Sequence, residues 1–153
     1  MTAGRRAWAR TALTVALVVA VDQVTKKLAR DGVRPGEEDP ILPAVKLVNV
    51  RNEGVAFGID AGGTTLVIAL IALALLALVL YFARHTARPL VWLPTGLLLG
   101  GALGNIVDRV RDGAVTDFLK IPAWPAFNVA DVAITVGVVA LVLVLERRDE
   151  GPA

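Results

Sequence analysis

An all-α membrane protein, folded as a four-helix bundle, is the class this chain predicts, and three observations predict it. Of 153 residues, 56% are hydrophobic, and the mean hydropathy is +0.65. The apolar residues gather in four long runs, at 7–22, 64–83, 90–108 and 129–146. Breakers and acids gather between the runs rather than within them. A helix rises about 1.5 Å per residue, so about 20 apolar residues cross a hydrocarbon core roughly 30 Å thick. With no repeat, linker or low-complexity tail, residues 1–153 read as a single integral membrane domain.

The first run follows Arg5, Arg6 and Arg10, a pattern shared with secretory signal peptides. Asp22-Gln23-Val24-Thr25-Lys26 makes a poor cleavage site and three more runs follow, so the segment is read as a retained first span. It reaches spanning length if the helix continues through Asp22 or if its arginines snorkel to the headgroups. Asp22 and Lys26 stand i,i+4, which predicts an ion pair on the surface of an outward continuation. In the outer segment 23–63, Asp31-Gly32, Pro35-Gly36 and Asp39-Pro40 break that helix. Residues 44–51 alternate enough to predict one or two short strands.

After the second span, residues 84–89 form a tight turn that holds His85 in water. The third span carries Gly96-x-x-x-Gly100-x-x-x-Gly104, the spacing at which helix backbones approach closely, for bundle packing or for dimerisation. Gly101, Asn105 and Asp108 are spaced i, i+4, i+7 and share one face, which brings polar groups to the outer end of that seam. In the outer segment 109–128, Pro122 and Pro125 exclude a regular helix. Asn128 is placed to cap the fourth span, in whose first turn Asp131 sits.

Arg5, Arg6, Arg10, Arg84, Arg88, Arg147 and Arg148 crowd short segments on one side of such a bundle. The other side is longer and net acidic. Basic residues near span ends face the cytoplasm, so both termini are expected there and the acids outside.

Composition removes most chemistries. The small net charge of +2 and scattered basic residues give no footing for nucleic acid. There is no Ser, no Cys and a single His, which excludes the usual nucleophile systems and zinc hydrolysis. No phosphate-binding glycine motif occurs. Carboxylates and amides remain: Asp22, Asp108, Asp117 and Asp131, with Asn52, Asn105 and Asn128. An ionisable group beside hydrocarbon is a functional-site hypothesis by default. Two carboxylates held together share a proton and can act as base and acid toward a peptide carbonyl. Asp117 would reach Asp131 across a fourteen-residue loop. Each acid alone has a plainer reading, as an interfacial group in water or a partner for Arg109 or Lys120. A proton or cation relay and a glycine-zipper scaffold also stand open at this point.

Asp22-Gln-Val-Thr-Lys26, Asn52-Glu-Gly-Val-Ala-Phe57, Gly100-Gly-Ala-Leu-Gly-Asn-Ile-Val-Asp-Arg109, Val115-Thr-Asp-Phe118 and Phe127-Asn-Val-Ala-Asp131 follow one another around the four spans. In that order they resemble the five blocks of the lipoprotein signal peptidases, the signal peptidase II family of bacterial aspartyl membrane proteases. The resemblance covers nearly the whole chain and implies that Asp117 and Asp131 are the catalytic pair. It implies that Asp22, Asn52, Gly54, Asn105, Asp108, Arg109, Asn128 and Ala130 line or support the site. It further implies a small extramembrane β-cradle and a short amphipathic helix from the first outer segment. The implied reaction removes the signal peptide of a diacylglyceryl-modified prolipoprotein just before the lipidated cysteine, with no metal or other cofactor. Membrane lipids, the prolipoprotein and globomycin-type cyclic peptides are the implied partners. A monomer in the bacterial cytoplasmic (inner) membrane, with its site toward the outer face, is expected. The GxGD block of the unrelated intramembrane aspartyl proteases is absent.

Overall fold

The computed structural model describes residues 2–53 and 63–146, and for residues 63–68 the backbone alone. The elements run α1 (Ala3–Gly32), β1 (Glu38–Leu42), β2 (Val45–Asn52), α2 (Gly63–Arg84), α3 (Trp92–Asp112), β3 (Val115–Lys120) and α4 (Val129–Glu146). The chain is therefore mostly helical with one small antiparallel sheet, ordered β1-β2-β3. Among the described residues two helices, Ala3–Gly32 and Val129–Glu146, are long and apolar enough to cross a membrane, and Ala69–Arg84 is a shorter apolar helix.

Thr2 caps α1 by accepting the Arg5 N–H, and the helix then runs for 30 residues, about 45 Å at 1.5 Å per residue. It does not stop at residue 22, because Gln23, Lys26, Lys27, Leu28, Ala29 and Arg30 are all good helix formers. The stop comes where Asp31-Gly32 and then Pro35 break the pattern. This extension corrects one expectation. Asp22 and Lys26 do pair, but both are fully buried rather than on a surface.

The glycines of α3 explain how. A Cβ on Gly96 would lie 2.6 Å from Thr14 Cβ, and one on Gly104 2.6 Å from the Asp22 carboxylate. A Cβ on Gly101 would lie 2.5 Å from the Ala130 carbonyl oxygen. One row of glycines thus seats α3 against α1, while Gly101 seats it against α4. The glycine run is internal packing in this fold. Helix α3 also outlasts its predicted end at 108 and stops at Gly113, whose left-handed backbone (φ 74°) returns its N–H to the Arg109 carbonyl.

Helix α2 meets the others through its C-terminal end, where Phe82 packs with Ala7 and Val91 and stands edge-on to Trp8 at 4.7 Å. His85, expected in water, is half-buried and stacks on Tyr81 with ring centroids 4.3 Å apart.

The polarity of the bundle is inverted relative to a soluble one. Leu13, Leu17, Val21, Val24 and Leu28 of α1 are exposed, as are Leu73 and Leu76 of α2 and Val136, Val139 and Leu143 of α4. Asp22, Lys26, Asn105, Asp108 and Asn128 are inside. Contiguous apolar surface of this extent marks contact with something other than water.

The strands expected within 44–51 form β2, which pairs with β1 through a turn at Pro43-Ala44. Strand β3 was not expected, and it replaces the open loop read between Arg109 and Asn128. The implied short amphipathic helix is not found among the described residues, and residues 54–62 of that segment lie outside them.

Because Gly101 approaches backbone rather than a movable side chain, Gly101→Ala should lower stability by about 1–3 kcal/mol, the usual cost of overpacking. Gly32→Ala meets nothing within 4 Å and should change stability by no more than about 0.5 kcal/mol. Thermal unfolding of the purified protein in detergent checks both, and equal behaviour of the two variants would contradict the packing account.

Candidate active site

Asp131 is placed by a reciprocal cap. Asn128 precedes α4, and its Oδ1 accepts the Asp131 N–H at 2.9 Å, while Asp131 Oδ2 accepts the Asn128 N–H at 3.2 Å. Two orphan donors of the first turn are satisfied this way, and the carboxylate is fixed at the positive end of the helix. Its other oxygen, Oδ1, accepts from Asn105 Nδ2 at 2.9 Å.

Asp117 is placed by the sheet. Leu119 and Phe127 exchange backbone hydrogen bonds of 2.9 Å, folding the chain back on itself so that β3 and the start of α4 become neighbours. Asn128 Nδ2 then donates to Asp117 Oδ1 at 2.7 Å. Because its Oδ1 already accepts from a backbone N–H, the amide of Asn128 presents Nδ2 to Asp117. One asparagine thereby holds both aspartates. Asn52 Nδ2 donates to Asp117 Oδ2 at 3.0 Å.

The contact from Asn52 depends on an irregularity in β2. Leu47 pairs with Leu119 and Val50 with Asp117, so two residues of β2 face one residue of β3. Paired residues share a sheet face, and each step along a strand reverses it. The extra residue puts Val50, and hence Asn52, on the face of Asp117. Without it Arg51 would occupy that face; instead Arg51 donates to the Asp112 carbonyl at 2.7 Å.

A buried polar cluster stands behind the pair. Lys26 Nζ contacts Asp22 Oδ2 at 2.8 Å, Asp108 Oδ2 at 3.0 Å and Asn105 Oδ1 at 2.9 Å, so all three of its N–H groups are used. Asp22 Oδ1 accepts the Ala130 N–H at 2.9 Å, and Asp108 Oδ2 accepts the Thr116 N–H at 3.1 Å. Gln23 Nε2 adds a bond of 2.9 Å to Asp108 Oδ1 and one of 3.2 Å to the Gly104 carbonyl. No group suited to a metal ion is found among the described residues, and Asp22 and Asp108 have an ammonium between them.

Asp22, Asn52, Asn105, Asp108, Asn128 and Ala130 thus gather around Asp117 and Asp131. Arg109 does not join them; its bond is to the Asn105 carbonyl of its own helix, at 3.4 Å. Gly54 lies outside the described residues. Lys120, read as a possible partner for an acid of the site, binds Glu38 instead. With Lys46, it holds the exposed Glu38 carboxyl down at about 2. Lys26 and Gln23 were missed as site residues. Their signal was a Lys and a Gln beside Asp22 on a helix end flanked by apolar residues.

Burial is the largest influence on Asp117, which is only 3% exposed, and the nearby Asp131 charge acts in the same direction. Together they outweigh the bonds from Asn52 and Asn128 and push its carboxyl up to about 6. Asp131 opens on a cleft of about 230 Å³ walled by Ile121, Trp124, Phe127, Val132 and Val136. A larger apolar pocket of about 500 Å³ lies between the β1–β2 hairpin and the 121–125 turn, and Trp124 lines both. A carboxyl of raised proton affinity and a second carboxylate beside an apolar cleft can activate water against a carbonyl group.

Comparison with known proteins agrees with that chemistry. The family model described as Signal peptidase (SPase) II matches residues 14–146. A lipoprotein signal peptidase of Moorella thermoacetica is 41% identical over 143 residues, covering 91% of this chain and 95% of that protein. One from Halothermothrix orenii is 37% identical over 139 residues, covering 90% and 96%. A solved bacterial membrane enzyme superposes with a TM-score of 0.84 at 30% identity, over 94% of this chain and 92% of that one.

A carboxyl raised from 3.8 to about 6 binds more protons in the folded state, so its contribution to stability is greatest below pH 4 and is lost as pH rises through 6. The protonated-carboxyl infrared band that disappears in Asp117→Asn should titrate near pH 6 in the unaltered protein. Asp131→Asn removes a charge that opposes ionisation and should lower that midpoint. An unmoved midpoint would show that the two groups do not sense each other.

Proposed function

The chain belongs to the signal peptidase II family, the lipoprotein signal peptidases, and from that premise we propose that Asp117 and Asp131 are its catalytic pair. Its activity is removal of the signal peptide from prolipoproteins. The observation that carries the site assignment is the Asn128 side chain and backbone joining the two carboxyl groups.

Asp117, buried and pushed up to about 6, binds a proton more readily than an ordinary carboxyl and serves as the acid. Asp131 sits in the first turn of α4, where the positive end of the helix favours a carboxylate, so it acts as the base. A water between the pair and the substrate gives a proton to Asp131 as its oxygen attacks the scissile carbonyl. Asp117 gives its proton to the carbonyl oxygen, and a tetrahedral diol results. On collapse, one hydroxyl returns its proton to Asp117, the C–N bond breaks, and Asp131 passes the water-derived proton to the leaving amine. Acid and base are both restored. Asn52 and Asn128 hold Asp117 at the place where charge develops.

The substrate is a prolipoprotein carrying a diacylglyceryl group on the cysteine that follows the cut. The cleft at Asp131 supports this, because its Val132 and Val136 wall belongs to the apolar surface of α4. We read all four helices as spans, with both termini cytoplasmic and the sheet as a cradle at the outer face. The inverted polarity of the bundle supports that reading: apolar side chains face lipid, and charges are paired inside. A monomer whose site is open to globomycin-type cyclic peptides completes the reading.

Asp117→Asn and Asp131→Asn, made separately, should each slow cleavage of a diacylglyceryl-modified precursor by about 10²- to 10⁴-fold, the usual range for losing an acid or base. Signal-peptide release is followed by gel shift. A variant that cuts at the unaltered rate removes its aspartate from the mechanism.

A further inference from the structure

We propose that Lys26 is a positioning residue for this reaction, which turns the Asn105 amide so that its NH₂ end faces Asp131 throughout turnover. The proposal rests on the assignment of Asp117 and Asp131 as the catalytic pair.

Neutralisation alone does not explain the Lys26 side chain. Lys26 is fully buried, and two of its N–H groups meet the carboxylates Asp22 and Asp108. A buried ion pair is often no more stabilising than apolar side chains of the same shape, so an ammonium here calls for another role. The third N–H supplies one. It donates to Asn105 Oδ1 at 2.9 Å. An ammonium has donors only, so the oxygen end of the Asn105 amide must face Lys26 and the nitrogen end must face away. Facing away means facing Asp131, whose Oδ1 accepts from Asn105 Nδ2 at 2.9 Å. Asn128 Nδ2 lies 3.2 Å from the same Asn105 oxygen and fixes it further.

This orientation matters when Asp131 has taken the proton from water. A protonated carboxyl needs an acceptor, and an unrestrained amide would rotate to offer its oxygen and trap the proton. Lys26 forbids that rotation, because its own N–H would then face an NH₂ group. The backbone N–H of Asn128 is likewise a donor only. Asp131 therefore keeps the proton only until the leaving amine takes it. The lysine acts two side chains from the substrate and touches none of the reacting atoms.

The decisive variant is Asn105→Asp, which leaves Lys26 an acceptor while replacing the NH₂ facing Asp131 with oxygen. Expected are a folded protein with a lower thermal midpoint, because a further carboxylate is buried, a KM near that of the unaltered enzyme and a kcat lower by about 10²-fold, as for a misplaced catalytic group. An unchanged kcat overturns the proposal. Lys26→Met, Asn105→Leu and the double variant form a cycle: a relay predicts that the double variant loses no more kcat than the worse single one. Losses that multiply overturn it. Should Lys26→Met not fold, Asn105→Asp decides alone. Asp117→Asn is assayed alongside. If it cuts normally, the catalytic pair itself is wrong. If it is dead while Asn105→Asp is normal, the relay alone falls.

Discussion

Everything in this protein hangs on one buried ammonium group. Lys26 gathers three oxygens, and each partner passes the constraint to a different part of the chain. Through Asp22 it holds the first turn of α4, through Asp108 the start of β3, and through Asn105 the Asp131 carboxylate. Helices from opposite ends of the sequence and a strand from between them are registered to a single point. Removing one member of such a cluster leaves the others charged and uncompensated, at a cost of about 3–5 kcal/mol in a buried site. The tie is specific because its geometry admits few substitutes.

Charges can be concentrated inside only if the backbones come close enough to exclude lipid and water. The α3 glycines provide that closeness on two sides, toward α1 at Gly104 and toward α4 at Gly101. The sheet completes the enclosure from the third side with Asn52 and Asp117. A weakly dielectric surround strengthens every paired contact within and penalises every unpaired one. The same conditions raise the proton affinity of Asp117 and allow two identical side chains to take different roles.

Much of this was legible in the sequence. Four apolar runs gave the helices, Asn128 announced the α4 cap, and the polar blocks named most of the residues that converge. What escaped was long-range. Asp22 and Lys26 at i,i+4 read as a solvent pair, because nothing local tells a helix that its polar face meets a glycine ridge 81 residues later, where Gln23 reaches the Gly104 carbonyl. Strand β3 is six residues long and gains its identity from pairing with β2 and Phe127, not from its own pattern. The extra residue in β2 is invisible in the alternation of a single strand, since it exists only relative to a partner. Arg109 shows the opposite limit: it belongs to a polar block by sequence, and its bond stays on its own helix, at the Asn105 carbonyl.

The uninterrupted course of α1 has a consequence for where cutting occurs. Its exposed apolar stripe from Leu13 to Leu28 covers about 22 Å at 1.5 Å per residue, and the same rigid rod bonds to the sheet through Arg30 and Thr116 at 2.9 Å. On the reading of α1 as a span, the height of the site above the bilayer midplane is set by a helix, not by a hinge. A thicker or thinner bilayer would tilt the whole body before it altered the spacing between anchor and site. On that reading, bilayer depth joins side-chain recognition in setting which bond is reached.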